Sequence, residues 1–363
     1  MNLNRRHLLA LGAAGATVPF WRALAEDVPL PDIPPIPEKL KGSGEVRIAN
    51  YGGTAQEAQR KAYFQPFEAM SGIKVHDFAG ADLNKVKAMV DTGNVEWDVV
   101  QLSQGSVANL RKHGDYFEKI DYDLIDTANI EPFYRSEYAQ DMLVWAEVMG
   151  YRTDAFKDSV PIGWKDFWDV KKFPGDRALG GAGPSTPEFE FAVMAAGVSL
   201  DQVYPIDIDK GFASYDTIKS SVVKWWETGA VPVQLLTDKE VVLTSVWNGR
   251  MAALRAAGVP AAISWDQGLL KRDTWAVPKG SPNRANAMKF IAFSTMAVPQ
   301  ARLSSLIPYG SVNSKSVDFI APKQLALLPS SPAIKSKLVP YDYAWWADNR
   351  DAVVARWNKW VLA

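Results

Sequence analysis

From Gly44 to Leu102 the chain alternates strand-like and helix-like stretches, and this alternation restricts the fold more than any other feature. Glu45-Val46-Arg47-Ile48-Ala49-Asn50 reads as a strand, and Tyr51-Gly52-Gly53-Thr54 as a turn opening an amphipathic helix to about Met70. A strand over Ile73 to Phe78, a helix over Leu83 to Asp91 and a buried-looking strand from Trp97 to Leu102 complete a βαβαβ unit. Such a unit makes a parallel sheet with its loops gathered at the strand ends, where open α/β sheets bind ligands. Gly52 and Gly53 let backbone N–H groups approach a ligand, with Thr54 as the expected N-cap; a plain tight turn is the competing reading.

The length of 363 residues predicts about two domains of roughly 150 residues each. A net charge of −1 gives no broad field for nucleic acid or anionic membrane. Cysteine is absent, and the histidines are His7, His76 and His113, so thiolate nucleophiles and Cys- or His-rich metal sites are excluded. No G-x-S-x-G and no P-loop occur, no cofactor is expected, and an enzyme is disfavoured.

The N-terminus carries Arg5-Arg6 ahead of an apolar run, Ala10 to Phe20, and then Ala23-Leu24-Ala25. Residues 1–25 therefore read as an export signal of twin-arginine type, cleaved after Ala25 to leave a periplasmic protein. Residues 26–43, with five prolines, read as an arm without regular structure, lying on the body or dangling from it.

Further along, Val144 to Arg152 reads as a long strand, Trp164 to Trp168 as a helix whose indoles belong to the core, and Pro187 to Gly197 as a helix capped by Thr186 with Glu188 in its first turn. Helices are also predicted over Ile208 to Ser214, Ser220 to Thr228, Arg284 to Ser294, Pro299 to Leu306 and Asp348 to Val361. Tyr341-Asp342-Tyr343 reads as a surface loop.

The functional signal lies between Glu240 and Gly280. Val241 to Val246 is an apolar strand leading into Trp247-Asn248-Gly249-Arg250, and Met251-Ala252-Ala253-Leu254 continues as a helix. Arg250 falls in the first turn of that helix, where the positive dipole end disfavours a cation unless an anion is bound. A second strand-like run covers Val259 to Trp265, and Asp273 follows just before an apolar stop at Pro278. The expectation is a cleft with Trp247 as floor and Arg250 and Asp273 as opposite poles. Competing structural roles are a surface ion pair for Arg250, a hinge cap for Asp273 and a core position for Trp247. Trp265, Trp275 and Tyr309 are weaker candidates.

Taken together, the export signal, Gly150-Tyr151-Arg152-Thr153-Asp154, Trp164-Lys165-Asp166-Phe167-Trp168, Val246-Trp247-Asn248-Gly249, Ala276-Val277-Pro278-Lys279-Gly280 and Pro308-Tyr309-Gly310 resemble the extracellular solute-binding proteins of ABC importers, in the spermidine/putrescine-receptor branch. The resemblance covers Gly44 to Ala363. It implies an α/β, two-lobe (type II) fold, each lobe a mainly parallel sheet flanked by helices, with crossover strands near Val148–Tyr151 and Asp273–Val277. Lobe 1 would hold residues 44–149 and 276–319, lobe 2 residues 150–275 and 320–363, and the lobes would close on ligand by hinge motion. By the same resemblance Tyr51, Trp247, Asp273, Tyr309 and, less exactly aligned, Glu188 match ligand positions, with Gly53 and Thr54 as further candidates.

The chain departs from the polyamine pattern at two positions. Arg250 replaces a small residue, and Lys271 replaces an aromatic two positions before Asp273. Added positive charge opposes a dication, whereas a guanidinium suits a carboxylate. The pattern resembles the γ-aminobutyrate-binding members, with Arg250 for the carboxylate, Asp273 for the ammonium, and Trp247, Tyr51 and Tyr309 along the spacer. A polyamine is the alternative ligand, and an enzyme on the same fold a remote one. The expected partners are a small zwitterion or amine and the permease subunits, with the receptor itself a monomer.

Overall fold

The order of the strands sets where the loops at their ends gather. The computed structural model describes residues 29–156, 158–183 and 186–363. Its strands are β1 (Glu45–Asn50), β2 (Lys74–Ala79), β3 (Val99–Ser103), β4 (Arg135–Ser136), β5 (Ala139–Arg152), β6 (Arg177–Gly180), β7 (Val222–Trp226), β8 (Leu243–Trp247), β9 (Ala261–Ala276) and β10 (Leu338–Pro340). They form one sheet in the order β2-β1-β3-β9-β5-β8-β6-β7, with β10 beside β9 and β4 beside β5. β1 is parallel to β2 and β3, as the βαβαβ pattern requires, and β6 is parallel to β7 and β8.

Between these two parallel halves run β5 and β9, long strands paired antiparallel to each other. β9 joins β3 from Ser103↔Asp273 to Val100↔Ala276, and β5 joins β8 from Glu147↔Trp247 to Tyr151↔Leu243. The segments expected to cross over, near Val148–Tyr151 and Asp273–Val277, fall on β5 and at the end of β9. The run Met142 to Val144 is buried on both faces, the pattern of an interior strand. β9 absorbs the strand-like run around Trp265 and the Asp273 segment into one element. Its irregularity is at Gln267, which has φ 65, and the pairing with β5 shifts register between Glu147 and Met149. The bend is braced by Trp164, whose indole N–H donates to the Gln267 carbonyl at 2.8 Å.

Helices cover both halves. Phe64, Phe67, Trp275 and Phe290 pack in one core, and Trp164, Phe167, Phe189, Tyr215 and Trp357 in the other. Trp164 is a core residue as expected, and Trp275, fully buried against Phe290, is not a ligand contact. Ile320 and Leu328 pack on Ala301.

Several local expectations are corrected. Ser220 to Thr228 is not a helix: it contains the edge strand β7, because Val222-Val223 and Trp225-Trp226 favour a pleated surface. The helix after Gly183 is Phe189–Ala195, with Glu188 at its N-cap position; Thr186 caps nothing, its hydroxyl meeting that of Tyr341 at 2.8 Å. The first helix starts at Gly53 with Gly52 at the N-cap and no side-chain cap bond, so Thr54 stands inside the first turn. Tyr341 is buried, and Tyr343 opens the C-terminal helix Tyr343–Leu362, so this segment is not a surface loop. The proline-rich arm from residue 29 onward lies on the body: Ile36 and Leu40 are buried, and Arg302 donates to the Pro31 carbonyl at 2.9 Å. The export signal falls outside the described residues.

Candidate functional site

Residues directly opposite each other on paired strands project from the same face. The registers Ser103↔Asp273, Trp145↔Lys271 and Glu147↔Trp247 therefore place side chains from β3, β9, β5 and β8 on one face, where the two halves of the sheet meet.

Asp273 is the first pole. Trp145 Nε1 donates to its Oδ1 at 3.2 Å and Gln101 Nε2 to its Oδ2 at 2.8 Å. Behind Gln101, Gln59 donates to Gln101 and Asn50 to Gln59, each at 2.9 Å, so a chain of buried amides points its donors towards the carboxylate. No protein cation neutralises Asp273 among the described residues; burial pushes its pKa up to about 6, and the two hydrogen bonds oppose that rise.

A second carboxylate lies across Trp145. Glu147 is buried and accepts from the buried Lys271 ammonium through Oε2 and from Trp247 Nε1 at 3.1 Å through Oε1. Trp145 and Trp247 meet edge to face with ring centroids 5.4 Å apart, and Trp226 stands behind Trp247 at 6.3 Å.

The Trp247-Asn248-Gly249-Arg250 segment can be read residue by residue. The Trp247 ring lies so close to Gly229 that a Cβ there would come within 2.5 Å of it. Asn248 accepts from the Ala146 amide at 2.9 Å and donates to the Pro308 carbonyl at 2.7 Å, tying β5 to the loop that carries Tyr309. Gly249 gives the Tyr309 ring room, since a Cβ would sit 2.9 Å from it. Arg250 is exposed in the first turn of the helix Asn248–Ala256, and no carboxylate pairs with it among the described residues. The Tyr309 phenol is raised to about 12 by burial and by the Asp273 charge, and lowered by Arg250, so Tyr309 stands within electrostatic reach of both poles. Half of Tyr51 is exposed, yet its phenol lies near Ser103, Asp273 and Tyr343, and desolvation and the Asp273 charge raise it.

The structure thus gathers Asp273, Trp247, Tyr51, Tyr309 and Arg250. Gly53 and Thr54 are exposed at the start of the helix that follows Tyr51, with Gly53 at φ 65. Glu188 lies beside the Glu147–Lys271 pair and Ser245. It is buried, accepts from the Gly180 amide at 2.7 Å, and is held well above the usual carboxylate range by burial and by the nearby Glu147 charge. Sequence reasoning missed Gln101, Trp145, Glu147 and Tyr343, whose hydroxyl accepts from the Arg272 amide at 2.8 Å. The alternation Trp145-x-Glu147 on an interior strand was the available signal, because a tryptophan and an acid two apart share one face. Among the described residues, no group of three or more His, Asp or Glu is placed to hold a metal.

The profile of the bacterial extracellular solute-binding proteins matches residues 62–334. The chain is 36% identical over 327 residues to the gamma-aminobutyric acid-binding protein of Pseudomonas aeruginosa PAO1, covering 88% of this chain and 91% of that protein. Identity to the spermidine/putrescine-binding periplasmic protein of Escherichia coli K12 is 23% over 253 residues, 66% of this chain and 71% of that protein. An ABC transporter substrate-binding protein from Bradyrhizobium japonicum USDA 110 aligns with a TM-score of 0.81 at 35% identity, over 87% of this chain and 99% of the other. With its two half-sheets joined by β5 and β9, this chain belongs to the bacterial extracellular solute-binding proteins, the substrate-binding components of ABC importers.

Proposed function

We propose that this receptor captures γ-aminobutyrate, or an ω-amino acid of similar length, and delivers it to an ABC permease. The observation that carries this reading is the pair of uncompensated charges flanking Tyr309: Arg250 without a carboxylate and Asp273 without a cation, among the described residues. A zwitterion neutralises both at once. Its ammonium goes to Asp273 beside the Trp145 indole, its carboxylate to Arg250, and its methylenes along Trp247, Tyr309 and Tyr51. Similarity to the gamma-aminobutyric acid-binding protein supports the choice over a polyamine.

In this reading the lobes comprise 44–149 with 276–319 and 150–275 with 320–363, and they close about β5 and β9. The packing of Ile320 and Leu328 on Ala301 favours moving the last return to the vicinity of Leu338. Residues 1–25 would direct export by the twin-arginine route with cleavage near Ala25, Gly53 and Thr54 would adjoin the ligand, and the mature receptor would bind ligand 1:1 as a monomer without catalysing a reaction.

Calorimetric titration of the mature protein tests the assignment. γ-Aminobutyrate should bind 1:1, and putrescine at least about 100-fold more weakly, the consequence of about 3 kcal/mol of like-charge repulsion and a missing carboxylate. Tighter binding of putrescine overturns the reading.

The same titrations should depend on pH. A bound ammonium needs Asp273 ionised, and its pKa in the free protein is about 6. Affinity should therefore be flat above pH 7 and fall by about tenfold per unit below pH 6, as one proton competes with the ligand. The ligand carboxylate stays ionised over most of that window. A flat profile between pH 5 and 7 would show that Asp273 does not hold the ammonium.

A further inference from the structure

The Glu147–Lys271 pair has the make-up of an ammonium site that is already filled. Glu147 supplies the carboxylate, and the indole N–H of Trp247 holds its other oxygen. The Lys271 ammonium also lies 5.3 Å from the Trp145 ring centroid and 4.7 Å from that of Tyr341, so it sits in an aromatic cage closed by an acid. Trp145 is shared: its ring faces this cage while its N–H donates to Asp273. Two half-sites of acid and aromatic therefore abut across one indole. The Asp273 half is open, and the Glu147 half is occupied from within.

We propose that Lys271 is a tethered cation that turns a cleft with two ammonium half-sites into a cleft with one, and so selects ω-amino acids against α,ω-diamines. This rests on the ligand reading given above. Lys271 and Asp273 are alternate residues of β9, about 6.6 Å apart along the strand, a spacing comparable with the span of a four-carbon diamine. A diamine anchored on Asp273 would bring its second ammonium towards a position that Lys271 already fills, and two ammoniums in a desolvated cleft repel strongly. Glu188 lies beside this pair, and burial and the Glu147 charge raise its pKa while Lys271 lowers it.

The test uses Lys271→Ala and n-propylammonium, which replaces the deleted Cγ–Nζ segment. Propylammonium should raise the melting temperature of Lys271→Ala by a few degrees more than that of wild type or of Lys271→Ala/Glu147→Gln, in both of which the Asp273 half-site gives the same background; propanol should do nothing. Putrescine affinity of Lys271→Ala should rise at least tenfold over wild type. A folded Lys271→Ala that neither exceeds that background with propylammonium nor gains putrescine affinity overturns the proposal. Should Lys271→Ala fail to fold, Lys271→Met, which keeps the volume and drops the charge, carries the test against Lys271→Arg. Putrescine affinity should rise at least tenfold with methionine and stay unchanged with arginine; equal affinity in both and in wild type overturns the proposal. The propylammonium measurement contains no γ-aminobutyrate. Failure of wild type to bind γ-aminobutyrate would therefore defeat the ligand assignment while this arm still reports on the Lys271 cage.

Discussion

Arg250→Ala is expected to weaken γ-aminobutyrate binding by about 30- to 150-fold, the equivalent of 2–3 kcal/mol for a lost charge-assisted contact. The melting temperature of the ligand-free protein should stay the same or rise slightly. Both halves of the expectation come from where the side chain stands. Arg250 is exposed, makes no ion pair among the described residues, and sits in the first turn of a helix whose N-terminal end already carries partial positive charge. Among the described residues no carboxylate pairs with the guanidinium, so its removal costs little stability. A bound carboxylate reverses the account, because arginine offers two parallel donors and the helix terminus adds to the field. Arg250→Lys should recover only part of the affinity, since an ammonium keeps the charge and loses the fork. Calorimetry and thermal melts on the three proteins suffice. An unchanged dissociation constant in Arg250→Ala would assign the arginine to the surface and leave the carboxylate without a partner.

How far the site was legible in the sequence depended on how local its causes are. Trp247-Asn248-Gly249-Arg250 was readable because a strand end, a turn and a helix start follow from adjacent residue types, and the ends of such strands collect ligands. The βαβαβ unit was readable from periodicity alone. Gln101 and Trp145 were not. Their roles arise from registers that join residues 128 and 172 positions apart, Trp145 and Gln101 each reaching Asp273. Glu188 shows the converse. A carboxylate near the right place in the chain reads as a ligand contact, and its burial against Gly180 and Glu147, which raises its pKa, comes from pairings that no local pattern displays. β7 was misread because its lysine-spaced aromatics, Val223-Lys224-Trp225-Trp226, suit an edge strand as well as an amphipathic helix. Trp164 was placed correctly in the core, although its bracing of the Gln267 bend depends on pairing that no local pattern displays.

Asp273→Asn is expected to have the largest effect, a loss of about 1000-fold in γ-aminobutyrate affinity, within the 3–5 kcal/mol typical of removing one partner from a buried charge pair. The amide keeps the size of the carboxyl and removes its charge, so the ammonium is left facing a dipole. The substitution also conflicts with the protein's own hydrogen bonds. Trp145 Nε1 and Gln101 Nε2 both donate to Asp273, and asparagine has only one acceptor. Either one donor goes unpaired, or Gln101, Gln59 and Asn50 reverse their amides in sequence along the chain that now runs towards the carboxylate. Stability should nevertheless not collapse, and its pH dependence supplies the second readout. The folded-state pKa of Asp273 is raised from 3.8 to about 6, so the folded protein holds this proton more tightly than the unfolded chain does. Stability is therefore intact below pH 4, declines between about pH 4 and 6, and stays lower by about 1–3 kcal/mol above that window. Asparagine has no such penalty. The difference in melting temperature, variant minus wild type, should consequently be more positive at pH 8 than at pH 4, where the wild-type carboxyl is already neutral. Loss of binding together with a pH-independent melting difference would mean that Asp273 is not the strained carboxylate described here, and that the variant loses ligand by disordering the amide chain.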